Sequence, residues 1–294
     1  MPPRRGALAW GLLAALVGMW GSSFLFNKLG VATVPPTTLV AGRLAIGALI
    51  LVAVVRLRGL RLPPPGAIWL RYAALGAVGN AIPFFLITWG QQVVDSALAG
   101  ILMAIMPLAT MVLAHLLVPG ERMTTGRVIG FLTGFLGIIV LMSGRGWAGA
   151  AVPDFIFPLA VLCGALCYAA NSVMTRLLVK GQVLVASAAT LLVATAVAVP
   201  LALYLDRPWT LEPERLSLAA ILWLGVGPTA IATLCYFRLI ALAGPTFMSL
   251  VNYLSPGVAV LLGVGLLGER PHYSAYAGLA LILAGIAVSQ LRRR

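Results

Sequence analysis

Ten stretches of mostly apolar residues, each about twenty long, divide this sequence from one end to the other. They fall near 7–29, 37–55, 67–90, 96–117, 124–142, 154–178, 184–205, 217–241, 247–267 and 273–291. A helix of about twenty residues crosses the hydrocarbon core of a bilayer, roughly 30 Å thick. In lipid every backbone N–H and C=O needs an internal partner, so stretches of this kind fold as helices; a barrel needs short alternating strands, and the pattern has none. Charge agrees with this reading. Only 9% of the 294 residues are charged and seven are acidic, where a soluble domain carries about 25% charged residues to face water. A soluble enzyme, a disordered chain and a coiled coil are excluded. The expected fold class is an all-α membrane protein with ten transmembrane helices.

Turn chemistry marks the breaks: Val34-Pro35-Pro36, the run from Arg56 to Gly66, Val94-Asp95, Pro119 to Arg122, Gly144-Arg145-Gly146, Lys180-Gly181, Asp206 to Arg215, Gly244-Pro245 and Gly268 to Pro271. The net charge of +13 is read by position, because basic loops of a membrane protein report topology rather than nucleic-acid binding. With the amino terminus in the cytoplasm, fourteen basic residues fall inside and five outside. The inside set is Arg4, Arg5, Arg56, Arg58, Arg61, Arg71, Arg122, Arg127, Arg176, Lys180, Arg238 and Arg292 to Arg294; the outside set is Lys28, Arg145, Arg207, Arg215 and Arg270. Both termini are therefore expected to be cytoplasmic. Arg4 and Arg5 before an apolar run resemble a secretory signal, but the run continues to Lys28 without a small-x-small cleavage site and is kept as the first span.

The two halves repeat. Gly120-Glu121-Arg122 is followed by Gly130 and Gly137, and Gly268-Glu269-Arg270 by Gly278 and Gly285, with identical spacing at a shift of 148 residues. The same shift carries Trp20 onto Tyr168 and Lys28 onto Arg176, and a shift of 149 carries Pro107 onto Pro256. Each half, 1–148 and 149–294, has five spans. Because five is odd, the second copy enters the membrane from the opposite side, which makes an inverted repeat with an expected site near the midplane.

Pro107…Val118-Pro119-Gly120-Glu121-Arg122…Gly130…Gly137 and Pro256…Leu267-Gly268-Glu269-Arg270…Gly278…Gly285 resemble the closing pattern of each half in the EamA branch of the drug/metabolite transporter superfamily. The first copy departs by Pro119 and one extra residue before the glutamate. The similarity runs over essentially the whole chain, and within the branch it is greatest to bacterial exporters of aromatic amino acids of the YddG type. The resemblance implies inner-membrane export of small metabolites through a central cavity lined mainly by spans 1, 3, 4, 6, 8 and 9.

Polar groups inside spans are costly, so each is a candidate for function. Asn27, Asn80, Asn171 and Asn252 lie on spans 1, 3, 6 and 9, accompanied by the aromatic residues Trp20, Phe84, Phe85, Trp89, Tyr168, Tyr236 and Tyr253. A zwitterion with an apolar side chain needs donors for its carboxylate, acceptors for its ammonium group and a greasy wall; asparagine amides serve either polar end, and aromatic faces attract rings and cations. The competing reading makes the asparagines interhelical glue and the aromatics packing or interfacial belt. The cavity is expected to comprise Trp20, Asn27, Asn80, Phe84, Met103, Tyr168, Asn171, Tyr236, Asn252, Tyr253 and Ser255. Pro83, Pro107, Pro228 and Pro256 lie inside spans and each frees a carbonyl four residues back, which either faces the cavity, lets the helix bend during gating, or is satisfied by a neighbouring hydroxyl. Arg43, about two turns into span 2, is placed at the outer interface, with a cavity-facing guanidinium holding a carboxylate as the alternative. Arg238 is expected to snorkel.

All seven acids fall at span ends or in loops, and His115 lies near the inner end of span 4. A proton-driven carrier needs a titratable group at membrane depth, so facilitated export, or weak coupling through His115, is expected. No Walker loop is present. Cys163 and Cys167, at i and i+4, lack further ligands and are read as packing, so neither metal nor cofactor is expected. Spans 5 and 10, with Gly130, Gly134, Gly137, Gly278 and Gly285, read as scaffold, and Glu121 and Glu269 as loop braces beside Arg122 and Arg270. The expected partners are an amino-acid substrate and the bilayer, with the protein a monomer. An exporter of a different metabolite or drug, and a channel or lipid scramblase, remain alternatives; an intramembrane enzyme would need clustered acids, a Ser-His pair or a metal set.

Overall fold

The computed structural model describes residues 6–121, 123–143, 152–179 and 181–290. Arg4, Arg5, Arg122, Arg145, Lys180, Arg292, Arg293 and Arg294 of the topology count, and the break at Gly144-Arg145-Gly146, lie outside the described residues. Among the described residues the fold is all-α, with ten apolar spans: α1 (Ala7–Gly30), α2 (Pro36–Leu57), α3 (Ile68–Gly90), α4 (Ser96–Leu117), α5 (Thr125–Ser143), α6 (Val152–Leu178), α7 (Val183–Leu205), α8 (Arg215–Gly244), α9 (Val251–Leu267) and α10 (Tyr273–Gln290). Most ends fall within two residues of the sequence reading, because prolines, glycines and charges stop apolar helices where lipid stops.

One boundary moves. The ninth helix was expected from residue 247, but α9 proper begins at Val251, after turn residues Ser249 and Leu250. Upstream, Gly244 adopts φ 79° and ψ 167°, which ends α8 ahead of Pro245; proline disfavours a helical residue before it, and only glycine takes this positive φ without strain. The chain then makes one helical turn to Met248 before the second break. Span 4 is likewise interrupted, at Ala104 and Ile105, shortly before Pro107. Helices α3 and α8 each contain a wide π segment, Ala77–Ala81 and Gly225–Ile231, near Pro83 and at Pro228. A wider turn absorbs the proline ring and marks places where helices host function.

Helix α1 lies against α8 and α9, α2 against α7, and α6 against α3 and α4, while α5 packs on α10. The α5–α10 contact is backbone on backbone. A Cβ on Gly130 would collide with the Gly285 carbonyl, and one on Gly278 would stand 2.7 Å from the Gly137 carbonyl. Small residues permit this approach, as the scaffold reading requires. Outward positions such as Leu49, Leu57, Leu132 and Leu261 are exposed, as hydrocarbon-facing residues are.

Hydrogen bonds knot the breaks after α1, α3, α7 and α9 together at one end of the bundle, called here the far end. Asp206 accepts from the Thr38 N–H (2.8 Å) and hydroxyl (2.7 Å), so its carboxylate serves the start of α2. Ser217 accepts from the Thr33 hydroxyl at 2.8 Å and donates to the Leu29 carbonyl at 2.9 Å. The opposite end, where α1 begins and α10 finishes, is the near end.

Candidate substrate cavity

A cavity of about 620 Å³ runs through the middle of the bundle. Ten of the eleven expected side chains line it: Trp20, Asn27, Asn80, Phe84, Met103, Tyr168, Asn171, Tyr236, Asn252 and Ser255. Tyr253 does not. On a helix, successive residues are rotated by about 100°, so Asn252, Ser255 and Pro256 share the cavity face while Tyr253 packs into the apolar cluster that α3, α4, α5, α6 and α10 build. Of the prolines, Pro107, Pro228 and Pro256 line the wall. Pro83 is not among the lining residues; it is buried, with its carbonyl beside Gly164 of α6, because the neighbouring Phe84 takes the cavity-facing position. Phe85 is exposed, and Trp89 stacks on Phe157 with ring centroids 4.7 Å apart.

The lining extends beyond the six expected spans. Helix α7 contributes Val183, Ser187 and Thr190, and α2 contributes Arg43. Arg43 is the main correction to the sequence reading. It does not reach an interface: it is 6% exposed, its guanidinium carbon stands 3.7 Å over the Phe84 ring, and its Nε donates to Thr229 Oγ1 at 2.9 Å. The signal was a lone arginine inside an apolar span, but helix periodicity could not say which way it turned. Arg238 is exposed at the near end of α8, as expected of a snorkelling side chain.

The proline carbonyls divide. Pro228 frees the Leu224 carbonyl, and the Thr229 hydroxyl donates to it at 2.7 Å, so the hydroxyl alternative holds there. The carbonyl of Pro228 itself accepts the Trp20 indole N–H at 3.2 Å. Trp20 and Tyr236 then form one aromatic corner with centroids 6.0 Å apart, and Phe84 and Tyr168 another at 6.3 Å. Between them Asn27 Oδ1, Asn171 Oδ1 and Ser255 Oγ are buried without a hydrogen-bond partner. Leaving a buried acceptor unpaired costs about 1–3 kcal/mol, a cost that a polar guest removes.

The far end of the cavity is shut. Lys28 Nζ donates to the carbonyls of Gln91 (3.0 Å) and Val94 (3.2 Å), and the Gln91 side-chain amide donates to the Phe24 carbonyl at 2.8 Å. Beside them Glu269 spans to the start of α4, accepting from the Ser96 N–H (2.7 Å), the Ser96 hydroxyl (2.8 Å) and the Ala97 N–H (2.8 Å). Gly263 makes room, since any Cβ there would collide with the Glu269 carboxylate. Toward the near end the lining continues to Val179, Val183 and Met248. Here Glu121 accepts from Arg176 at 2.8 Å and Arg127 at 3.3 Å. Hydrogen bonding from Arg176 holds the Glu121 carboxyl below its ordinary range. Both glutamates brace: Glu269 at the start of α4, and Glu121 with Arg176 of α6 and Arg127 of the following helix; Arg122 lies outside the described residues. His115, exposed at the end of α4, bonds the Glu121 carbonyl at 2.9 Å and stands outside the cavity. Among the described residues no group of three His, Cys, Asp or Glu side chains could hold a metal.

Known proteins share this architecture. The uncharacterized inner membrane transporter YedA of Escherichia coli (strain K12) is 28% identical over 96% of this chain and 90% of its own length. The aromatic amino acid exporter YddG of Ancylobacter novellus is 27% identical over 96% and 98%, and the probable terminal-alkyne amino-acid exporter of Streptantibioticus cattleyicolor is 26% identical over 96% and 93%. A protein of known crystal structure superposes with a TM-score of 0.68 at 26% identity, covering 98% of this chain and 99% of its own. The model of the EamA-like transporter family matches residues 6–143 and residues 156–290. With ten membrane-crossing helices around a lined central cavity and a family match over nearly its whole length, the chain belongs to the EamA-like transporter family.

Proposed function

We propose that this protein exports aromatic and other neutral amino acids from the cytoplasm across a bacterial inner membrane, by alternating access between inverted halves 1–148 and 149–294, with both termini cytoplasmic. The observation that carries the reading is the cavity. Its volume of about 620 Å³ is within the range of small-molecule sites, and it pairs aromatic corners with unpartnered amide oxygens at membrane depth. An aromatic side chain fits the corners, and the polar end of an amino acid meets the amides. The names of two relatives, both amino-acid exporters, support the substrate class.

Helix pairing supports the inversion. Under the half-chain shift, α1 against α9 becomes α6 against α4, and α3 against α6 becomes α8 against α1; all four contacts occur. The latches follow the same rule. Lys28 and Glu269 bind helix ends at the closed far end, while their counterparts Arg176 and Glu121 bind each other at the near end. Closing the near end would transfer Arg176 to the carbonyls of Ile240 and Ala243, and Glu121 to the start of the span that leads into α9. The near end, rich in arginine, faces the cytoplasm, so the state described is ready to load.

The test is transport of a panel of labelled amino acids in proteoliposomes, with and without a proton gradient. Saturable uptake accelerated by unlabelled substrate on the opposite side is expected, where a channel would give neither saturation nor acceleration. The rate is expected to be independent of the proton gradient, because among the described residues no aspartate, glutamate, histidine or lysine lines the cavity. Strict dependence on a gradient would refute facilitated export.

A further inference from the structure

The arginine on α2 says more about the substrate than the asparagines do. Arg43 sits about 10 Å along α2 from its start and is 94% buried, given its 6% exposure. An ionised group at membrane depth is expensive unless paired, and among the described residues no carboxylate lies near it: its neighbours are the Thr229 hydroxyl, the Phe84 face and, within electrostatic reach, the Tyr168 phenol. Among the described residues only Nε has a hydrogen-bond acceptor. The two terminal nitrogens, four N–H donors in a planar fork, belong to a residue of the cavity wall and have no acceptor among the described residues.

The fork is held in one orientation by a chain of constraints that starts at a proline. Pro228 orphans the Leu224 carbonyl; the Thr229 hydroxyl spends its single proton on that carbonyl, so its lone pairs are left to accept from Arg43. Phe84 supports the guanidinium from below. A guanidinium fixed through Nε and one face presents its outer edge, the edge that matches a carboxylate with two parallel hydrogen bonds. The opposite charge has no such receptor. Among the described residues the cavity wall carries no acid, so a substrate ammonium meets no opposite charge, only neutral groups such as Asn27 Oδ1, Asn171 Oδ1 and the aromatic faces.

We infer that Arg43 is the carboxylate receptor of this cavity and that the site selects its cargo by the carboxylate rather than by the ammonium group. The inference rests on the exporter reading and sharpens it: the substrate class is apolar and aromatic monocarboxylates, of which amino acids are one subset. A 2-hydroxy acid of the same shape is accepted, and a decarboxylated amine is not.

The test uses the purified full chain with phenylalanine, 3-phenyllactate and 2-phenylethylamine as probes, read by transport in proteoliposomes and by ligand-induced thermal stabilisation in detergent. Phenyllactate is expected to compete with phenylalanine within about threefold, and phenylethylamine at least about thirtyfold more weakly, the loss expected when a charged pair is left unmade. Arg43→Gln should weaken both carboxylates by about 100-fold, and Arg43→Lys by about tenfold, since an ammonium restores charge but not the fork. Thr229→Val, which keeps the arginine but frees its orientation, should raise KM several-fold with little change in the maximal rate. If phenylalanine is carried yet phenylethylamine competes equally, or folded Arg43→Gln carries it at the parental rate, the inference is overturned while the exporter reading stands. If no amino acid is carried, the amino-acid reading fails, and thermal stabilisation decides the receptor: stabilisation by phenyllactate that Arg43→Gln abolishes upholds it, and no stabilisation by either carboxylate overturns it.

Discussion

Replacing Glu269 with alanine is expected to lower transport at least tenfold while leaving folded protein in the membrane. One carboxylate accepts three hydrogen bonds at the start of α4, where backbone N–H groups have no partners within their own helix. Losing a cap of this kind costs about 0.5–2 kcal/mol, and hydrogen bonds to a charged group raise the figure to roughly 1.5–3 kcal/mol. The cost falls on the state with the far end closed, because the contact joins the break after α9 to the start of α4 across that end. Every 1.4 kcal/mol is about a factor of ten in a population, so the far end should open and the cycle should stall. Glu269→Gln keeps one acceptor oxygen and should lose less. A cysteine introduced at Ser23, after Cys163, Cys167 and Cys235 are replaced by serine, reads the same event: it should react faster with an impermeant thiol reagent from the far side in the alanine variant. Unchanged labelling and unchanged flux would remove Glu269 from the latch.

Gly130→Leu is expected to abolish folding or to lower the melting temperature in detergent by more than ten degrees. A Cβ at this position would collide with the Gly285 carbonyl and stand 2.7 Å from the Ser289 Cβ. Neither helix can yield without separating α5 from α10 along its length, since Gly137 and Gly278 repeat the contact two turns away. Overpacking of side chains costs about 1–3 kcal/mol, and a collision with backbone has less room to relax. Gly265→Leu supplies the control: nothing lies within 4 Å of a Cβ there, and replacing a helical glycine gains several tenths of a kcal/mol or more. Equal melting temperatures for the two variants would contradict the scaffold role of α5 and α10.

The sequence was legible wherever lipid imposes a rule on single residues or on spacing. Span ends follow from Pro35-Pro36, Gly120, Gly181 and Gly268, and the asparagines and aromatics of spans 1, 3, 6, 8 and 9 mark the wall because polar groups at depth need a reason. The failures share one cause. Arg43 was sent to an interface and Tyr253 into the cavity, and each error concerns the direction a side chain takes around its helix. In a soluble helix the polar face points to water and settles direction. Here lipid and protein interior are both apolar, so the pattern around a helix carries little information.

Other features needed contacts between distant parts of the chain. The Gly-Glu-Arg triplets announced two equivalent glutamates, yet Glu269 caps α4 while Glu121 pairs with Arg176, an asymmetry that neither local sequence contains. The π segments arise where Pro83 and Pro228 meet neighbouring helices. The sequence by itself determined ten crossings and their ends, because chain length against bilayer thickness and the cost of unpaired backbone groups are local constraints. Only the tertiary structure decided which faces turn inward, which end is shut and that a buried arginine waits beside Phe84, because in a solvent of uniform apolarity direction is set by packing against other helices.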